Sequence, residues 1–130
     1  MKKTIILKNT TIGYHSSGQN RIVVQNINAS LQSGELTCLI GANGVGKSTL
    51  LRTLSVFQPP LSGEIRLLGK SLVEYSPKKL ARLLAMVLTH KTTTDNLTVR
   101  ELVGMGRSPY TGFFGTLTTE DETIVEESLR

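Results

Sequence analysis

Residues 41–48 read Gly41-Ala42-Asn43-Gly44-Val45-Gly46-Lys47-Ser48, a glycine-framed stretch closed by a lysine and a hydroxyl. The spacing is G-x-x-x-x-G-K-S. Phosphate oxygens need many donors at close range. Backbone N–H groups of Gly44, Val45, Gly46, Lys47, Ser48 and Thr49 supply them when no side chain intrudes, and glycine permits the backbone angles and the close approach. A helix starting near Lys47 adds the positive end of its dipole. Lys47 brings a mobile point charge for the β- and γ-phosphates. Ser48 brings a hydroxyl for Mg²⁺, whose remaining positions are filled by water and phosphate oxygens. Gly41 through Thr49 therefore form a P-loop that points to a nucleoside triphosphate.

The flanks test that reading against the alternative, a glycine-rich turn with a chance lysine. Before the loop, Leu36–Ile40 is a short apolar run between glycines, the pattern of a fully buried strand. Cys38 lies in that run and is expected to be a buried structural thiol. After the loop, Leu50, Leu51, Leu54 and Phe57 make one apolar stripe, which predicts a helix over 47–57 ended by Pro59-Pro60. Further upstream, Thr4–Leu7 and Arg21–Leu31 read as strands joined by a turn at His15–Asn20.

Downstream, Ile65, Leu67 and Leu68 suggest a strand after the Ser62-Gly63 turn. Ser76 followed by Pro77 reads as the start of a helix reaching about Leu84. Ala85–Leu88 reads as another short buried strand, and Thr89–Asn96 as a polar loop. Thr98 and Glu101 have capping-box spacing and predict a helix over Val99–Met105. Gly104, Gly106 and Pro109 end it, and Tyr110–Thr116 is an irregular glycine and aromatic loop. Thr118 and Asp121 open an acidic helix on which Val125 and Leu129 share a face. The chain stops inside that helix, so the sequence reads as the front part of a longer protein.

Composition narrows the class. The chain has 130 residues, 38% of them hydrophobic and 19% charged, with 12 Gly and 4 Pro, which excludes a collagen-like, low-complexity or disordered chain. No apolar run approaches the ~18 residues of a membrane span. The apolar stretch after Lys2 and Lys3 stops at Lys8, short of the ~7–15 residues of a signal peptide. A cytoplasmic chain is expected. A single cysteine allows no internal disulfide. Residues 1–91 carry 12 basic and 3 acidic side chains, whereas residues 92–130 carry 3 basic and 7 acidic. The basic front suits an anionic ligand. No RNA-binding or helix-turn-helix pattern occurs, so no nucleic-acid partner is expected.

The motif and its flanks resemble the ATP-binding cassette (ABC) ATPases. Asn43-Gly44-Val45-Gly46-Lys47-Ser48-Thr49 is similar to that family's variant of the loop. Gly13-Tyr14 falls where the family places an aromatic that stacks on adenine. Asn26-Ile27-Asn28, Ser33-Gly34-Glu35-Leu36 and Pro59-Pro60-Leu61-Ser62-Gly63-Glu64-Ile65 resemble the flanking segments. Residues 97–110, from Leu97-Thr98-Val99 through Met105-Gly106-Arg107-Ser108-Pro109-Tyr110, resemble the subfamily that powers uptake of iron–siderophores, haem or cobalamin. The resemblance implies an ATP-binding importer subunit that works with Mg²⁺ as a head-to-tail dimer. It also implies docking on transmembrane permease subunits at the cytoplasmic face of the inner membrane.

Two departures stand beside it. Thr89-His90 occupies the position where the family has a glutamine that reaches Mg²⁺ and the attacking water, and Gln58 sits too early to replace it. The 130 residues end before the L-S-G-G-Q signature, the Asp-Glu strand end and the switch histidine, so the chain alone is expected to hydrolyse little ATP. A small-molecule kinase is an alternative, although such enzymes usually begin with the P-loop strand. A nucleotide-binding module that never hydrolyses is another.

The expected fold is α/β. An N-terminal antiparallel β part flanks a P-loop core over residues 1–96, and a helical subdomain begins over 97–130. Tyr14 is either an adenine platform or a strand-end aromatic. His15 reads as a solvated loop residue, and Tyr110, Phe113 and Phe114 as local core or as a docking surface.

Overall fold

The computed structural model describes residues 3–16, 18–87, 89 and 96–130. The chain divides into two compact units, Met1–Ser76 and Pro77–Arg130. The first is α/β, built on a four-stranded antiparallel sheet in the order β2-β1-β3-β4. Its strands are β1 (Lys3–Ser16), β2 (Gln19–Gln32), β3 (Ser62–Leu67) and β4 (Lys70–Ser71), with helix α1 (Lys47–Leu54) between β2 and β3.

β1 is far longer than the apolar run Thr4–Leu7 that announces it, because a bulge interrupts its alternation. Asn9 takes φ 45°, and the register with β2 shifts between Leu7 and Thr10. Asn28 staples the bulge: its Oδ1 accepts from Asn9 N at 2.9 Å, and its Nδ2 donates to Asn9 Oδ1 at 3.1 Å. Past the bulge, Thr10, Thr11 and Ile12 are all buried. Thr10 satisfies its hydroxyl by donating to the Glu64 carbonyl on β3 at 3.0 Å, as a buried polar group must. Leu7, Ile12, Ile65, Leu67 and Leu72 form the apolar core of this unit.

Several expectations are corrected. Residues 35–42 form no strand, and Leu36 and Ile40 are 94% and 90% exposed. An apolar run becomes a strand only where a neighbouring ladder satisfies its backbone, and none of the four strands lies alongside it. Cys38 is accordingly exposed rather than buried. Residues 84–87 likewise form no strand, with Val87 95% exposed, and Leu88 lies outside the described residues. Finally, α1 buries Thr49 and Thr53 instead of its leucine stripe. Leu51 and Phe57 are exposed. The helix stops at Leu54, and Val56 at φ 64° turns the chain out of helical geometry before Phe57.

The second unit contains α2 (Pro77–Leu83), α3 (Val99–Gly104) and α4 (Thr119–Ser128). Both capping boxes form. Thr98 Oγ1 accepts from Glu101 N while Glu101 Oε2 accepts from Thr98 N, and Thr118 and Asp121 repeat the exchange. Arg100 pairs with Glu126 at 2.7 Å, tying α3 to α4, and Val125 is 1% exposed. Arg107 Nε donates to Asp121 Oδ1 at 2.7 Å, with the carboxylate buried. Tyr110 is flanked by the guanidinium groups of Arg107 and Arg82, 4.0 and 4.8 Å from the ring centre. Phe113 and Phe114 are 99% and 91% exposed, touching each other edge to face, so neither is local core.

Asp121 gives this unit a defined acid sensitivity. Hydrogen bonds from the Thr118 backbone and hydroxyl, then from Arg107, lower its pKa from 3.8 to about 2. A depressed carboxylate contributes stability above its ordinary pKa, and that contribution is lost as pH falls through the folded value. Helix content in the second unit is expected to fall between about pH 4 and pH 2. Asp121→Asn should weaken the unit at neutral pH and remove this component of the acid transition. A pH titration by circular dichroism checks both, and an unchanged acid limb in the variant would contradict the assignment.

Candidate functional site

The loop of residues 41–46 hangs between the end of β2 and the start of α1, and two glycines make its path possible. Gly44 takes φ 81° and Gly46 φ 108°. Gly46 also packs tightly on β2, since an added Cβ would stand 2.8 Å from Val23 Cγ1 and 2.9 Å from Val24 Cγ2. It caps α1 and begins its ladder, accepting from Leu50 N at 2.8 Å.

Lys47 folds back over the loop and donates from Nζ to the carbonyls of Gly41 at 2.6 Å and Ala42 at 2.7 Å. These bonds hold a cation at the loop mouth, where an arriving anion competes for the same protons. Asn43, Gly44, Val45 and Ser48 are exposed, and Thr49 is buried. Ser48 stands at the second position of α1 and lines the cleft.

Tyr14 reaches the same place from β1. Its hydroxyl meets Thr49 Oγ1 at 2.9 Å, so the ring is tethered at its tip while the residue stays 41% exposed. Gln58 helps fix the approach of β1 to α1 by donating to Gly13 O at 3.0 Å and Thr53 Oγ1 at 3.3 Å. It is therefore a structural tie. The result is a cleft of about 370 Å³ lined by Tyr14, Arg21, Val23, Asn43, Gly44, Gly46, Lys47, Ser48 and Thr49. Among the described residues, two cations and no carboxylate line it, which suits a polyanion.

The structure thus brings Tyr14 and six of the loop residues to one cleft, while Gly41 enters through its carbonyl and Val45 does not line the wall. Thr89 is exposed in the second unit, and His90 lies outside the described residues. His15 is exposed but is a paired strand residue of β1 rather than a loop residue, opposite Asn20 of β2, with Nδ1 2.6 Å from Asn20 Oδ1. Sequence reasoning missed Arg21 and Val23. Their only signal was the hairpin register, which pairs Tyr14 with Arg21.

The donor set can be tested for a metal. Among the described residues, no three or more His, Cys, Asp or Glu side chains gather as ligands. Ser48 offers one exposed hydroxyl on the cleft wall. That fits Mg²⁺, which keeps several waters and takes phosphate oxygens, and does not fit a zinc or transition-metal centre. Among the described residues, no helix is long and apolar enough to cross a membrane.

Comparison with known proteins places the chain in a family. An uncharacterized ABC transporter ATP-binding protein of Methanocaldococcus jannaschii is 42% identical over 123 residues, covering 95% of this chain and 41% of that protein. The iron(3+)-hydroxamate import ATP-binding protein of Bacillus subtilis is 38% identical over 110 residues, covering 85% of this chain and 41% of its own length. The chain thus spans about two fifths of the length of these relatives. A dimeric ATP-binding cassette solved with ADP and Pi superposes at a TM-score of 0.76 with 23% identity, over 96% of this chain and 55% of that one, a likeness of fold. The family model described as ABC transporter matches residues 24–129, and the chain belongs to the ABC transporter family.

Proposed function

We propose that the chain is the nucleotide-binding front part of an ABC importer's ATP-binding subunit. The observation that carries this is the cleft, where an exposed glycine-rich loop, the Lys47 ammonium and the tethered Tyr14 ring converge with no carboxylate between them. Adenine stacks on Tyr14. Backbone N–H groups of Gly44 through Thr49 take the phosphates. Lys47 exchanges its carbonyl partners for β- and γ-phosphate oxygens. Ser48 would hold Mg²⁺ through its hydroxyl. The metal, when bound, neutralises phosphate charge.

In the intact protein, two copies arranged head to tail would close on MgATP and hydrolyse it at the cytoplasmic face of the inner membrane, driving transmembrane permease subunits. The cargo is an iron–siderophore, haem or cobalamin-type compound. The name of the Bacillus relative and the residues 97–110 support that class. A non-hydrolysing reading keeps one support, Thr89 in place of a glutamine. The kinase reading is weaker, because the two long strands β1 and β2 precede the loop.

The test is a titration of the protein with ATP, with and without Mg²⁺, followed by a turnover assay. Saturable binding with little or no phosphate release is expected, since among the described residues no carboxylate lines the cleft to orient an attacking water. Failure to bind ATP would defeat the reading, and rapid turnover by the 130 residues alone would defeat its account of catalysis.

A further inference from the structure

The hairpin register sets Arg21 directly across from Tyr14. Directly opposed residues of an antiparallel pair project from the same face of the sheet, and both line the cleft. Arg21 is exposed. Among the described residues, its guanidinium has no ion-pair partner, and no carboxylate lines the cleft to neutralise it. A guanidinium is charged at every working pH, and its planar fork matches phosphate oxygens.

We propose that Arg21 is a further nucleotide-contacting residue whose guanidinium binds the sugar-linked phosphate of a nucleoside di- or triphosphate. The proposal rests on the nucleotide reading of the cleft. If the base lies on Tyr14 and the terminal phosphates lie on the loop from Gly44 to Ser48, the cross-strand neighbour of Tyr14 stands at the nucleoside end. The first phosphate attached to the sugar is the anion nearest that end. Lys47, whose Nζ is held over Gly41 and Ala42, is left to the distal phosphates. Arg21 and Lys47 then divide the chain of phosphates between them.

The experiment is a set of titrations of wild type, R21A and R21Q with ATP, ADP and adenosine, with K47A as a parallel control. R21Q keeps most of the stem and loses the charge, so it carries the same expectation without a packing change. Both Arg21 variants should weaken ATP and ADP alike, by about tenfold for one charge-assisted contact, and leave adenosine unchanged. They should also flatten the salt dependence of ATP binding. Equal loss for adenosine would overturn the proposal in favour of a base contact. Loss for ATP but not ADP would overturn it in favour of a terminal phosphate. Loss in K47A with none in R21A and R21Q would overturn Arg21 alone, whereas undiminished binding in K47A would overturn the nucleotide reading together with it.

Discussion

Replacing Lys47 by alanine should lower ATP affinity by about 10- to 100-fold, the equivalent of one charge-assisted contact of about 1.5–3 kcal/mol. The prediction follows from what Lys47 does without ligand. Among the described residues, its Nζ bonds only to the carbonyls of Gly41 and Ala42 in its own loop, so it is no strut between elements. Losing it removes charge from the mouth of the cleft and leaves the sheet alone, and thermal stability should change little. Lys47→Arg should not rescue binding, because a planar fork does not replace a compact ammonium at a site framed by two backbone carbonyls. Isothermal titration of the three proteins with ATP checks this. Equal affinity in wild type and Lys47→Ala would show that the loop is only a turn.

That site was legible because its chemistry is local. Eight consecutive residues specify the loop, and the two capping boxes at Thr98 and Thr118 are likewise written within four residues each. What depends on distant partners was harder to read. The apolar run from Leu36 to Ile40 has strand composition, yet it lies exposed because no strand among the described residues pairs with it. Composition reports what a segment prefers, and pairing decides whether it gets it. The burial of Thr49 and Thr53 rather than Leu51 follows from Tyr14 and Gln58, which bind the polar face of α1 toward β1. No periodicity within α1 contains that information. The second half of β1 was hidden by the bulge at Asn9, since the extra residue breaks the alternation on which strand recognition relies. Arg21 was hidden for the same reason, because its place in the cleft is a property of hairpin register.

Gly46→Ala should be the more damaging change, abolishing measurable ATP binding while leaving the hairpin folded. Two costs combine. A side chain at φ 108° enters the left-handed half of the map, at about 1–2 kcal/mol. The new methyl would also stand 2.8 Å from Val23 Cγ1 and 2.9 Å from Val24 Cγ2. Both valines are β-branched and stiff about χ1, so they yield poorly, and overpacking adds about 1–3 kcal/mol. The simplest relief is for the loop to lift off β2, which pulls its N–H groups out of register with the phosphates and unseats Lys47. Gly44 separates the two costs. It has φ 81° and nothing within 4 Å of an added Cβ, so Gly44→Ala pays only the conformational cost and should weaken ATP binding by about tenfold. Adding Val23→Ala to Gly46→Ala removes one of the two contacts and should recover part of the loss, never all of it. Equal effects of Gly44→Ala and Gly46→Ala would mean that the seat of the loop on β2 is irrelevant. A graded series would establish that β2 supports the phosphate loop as well as forming one wall of its cleft.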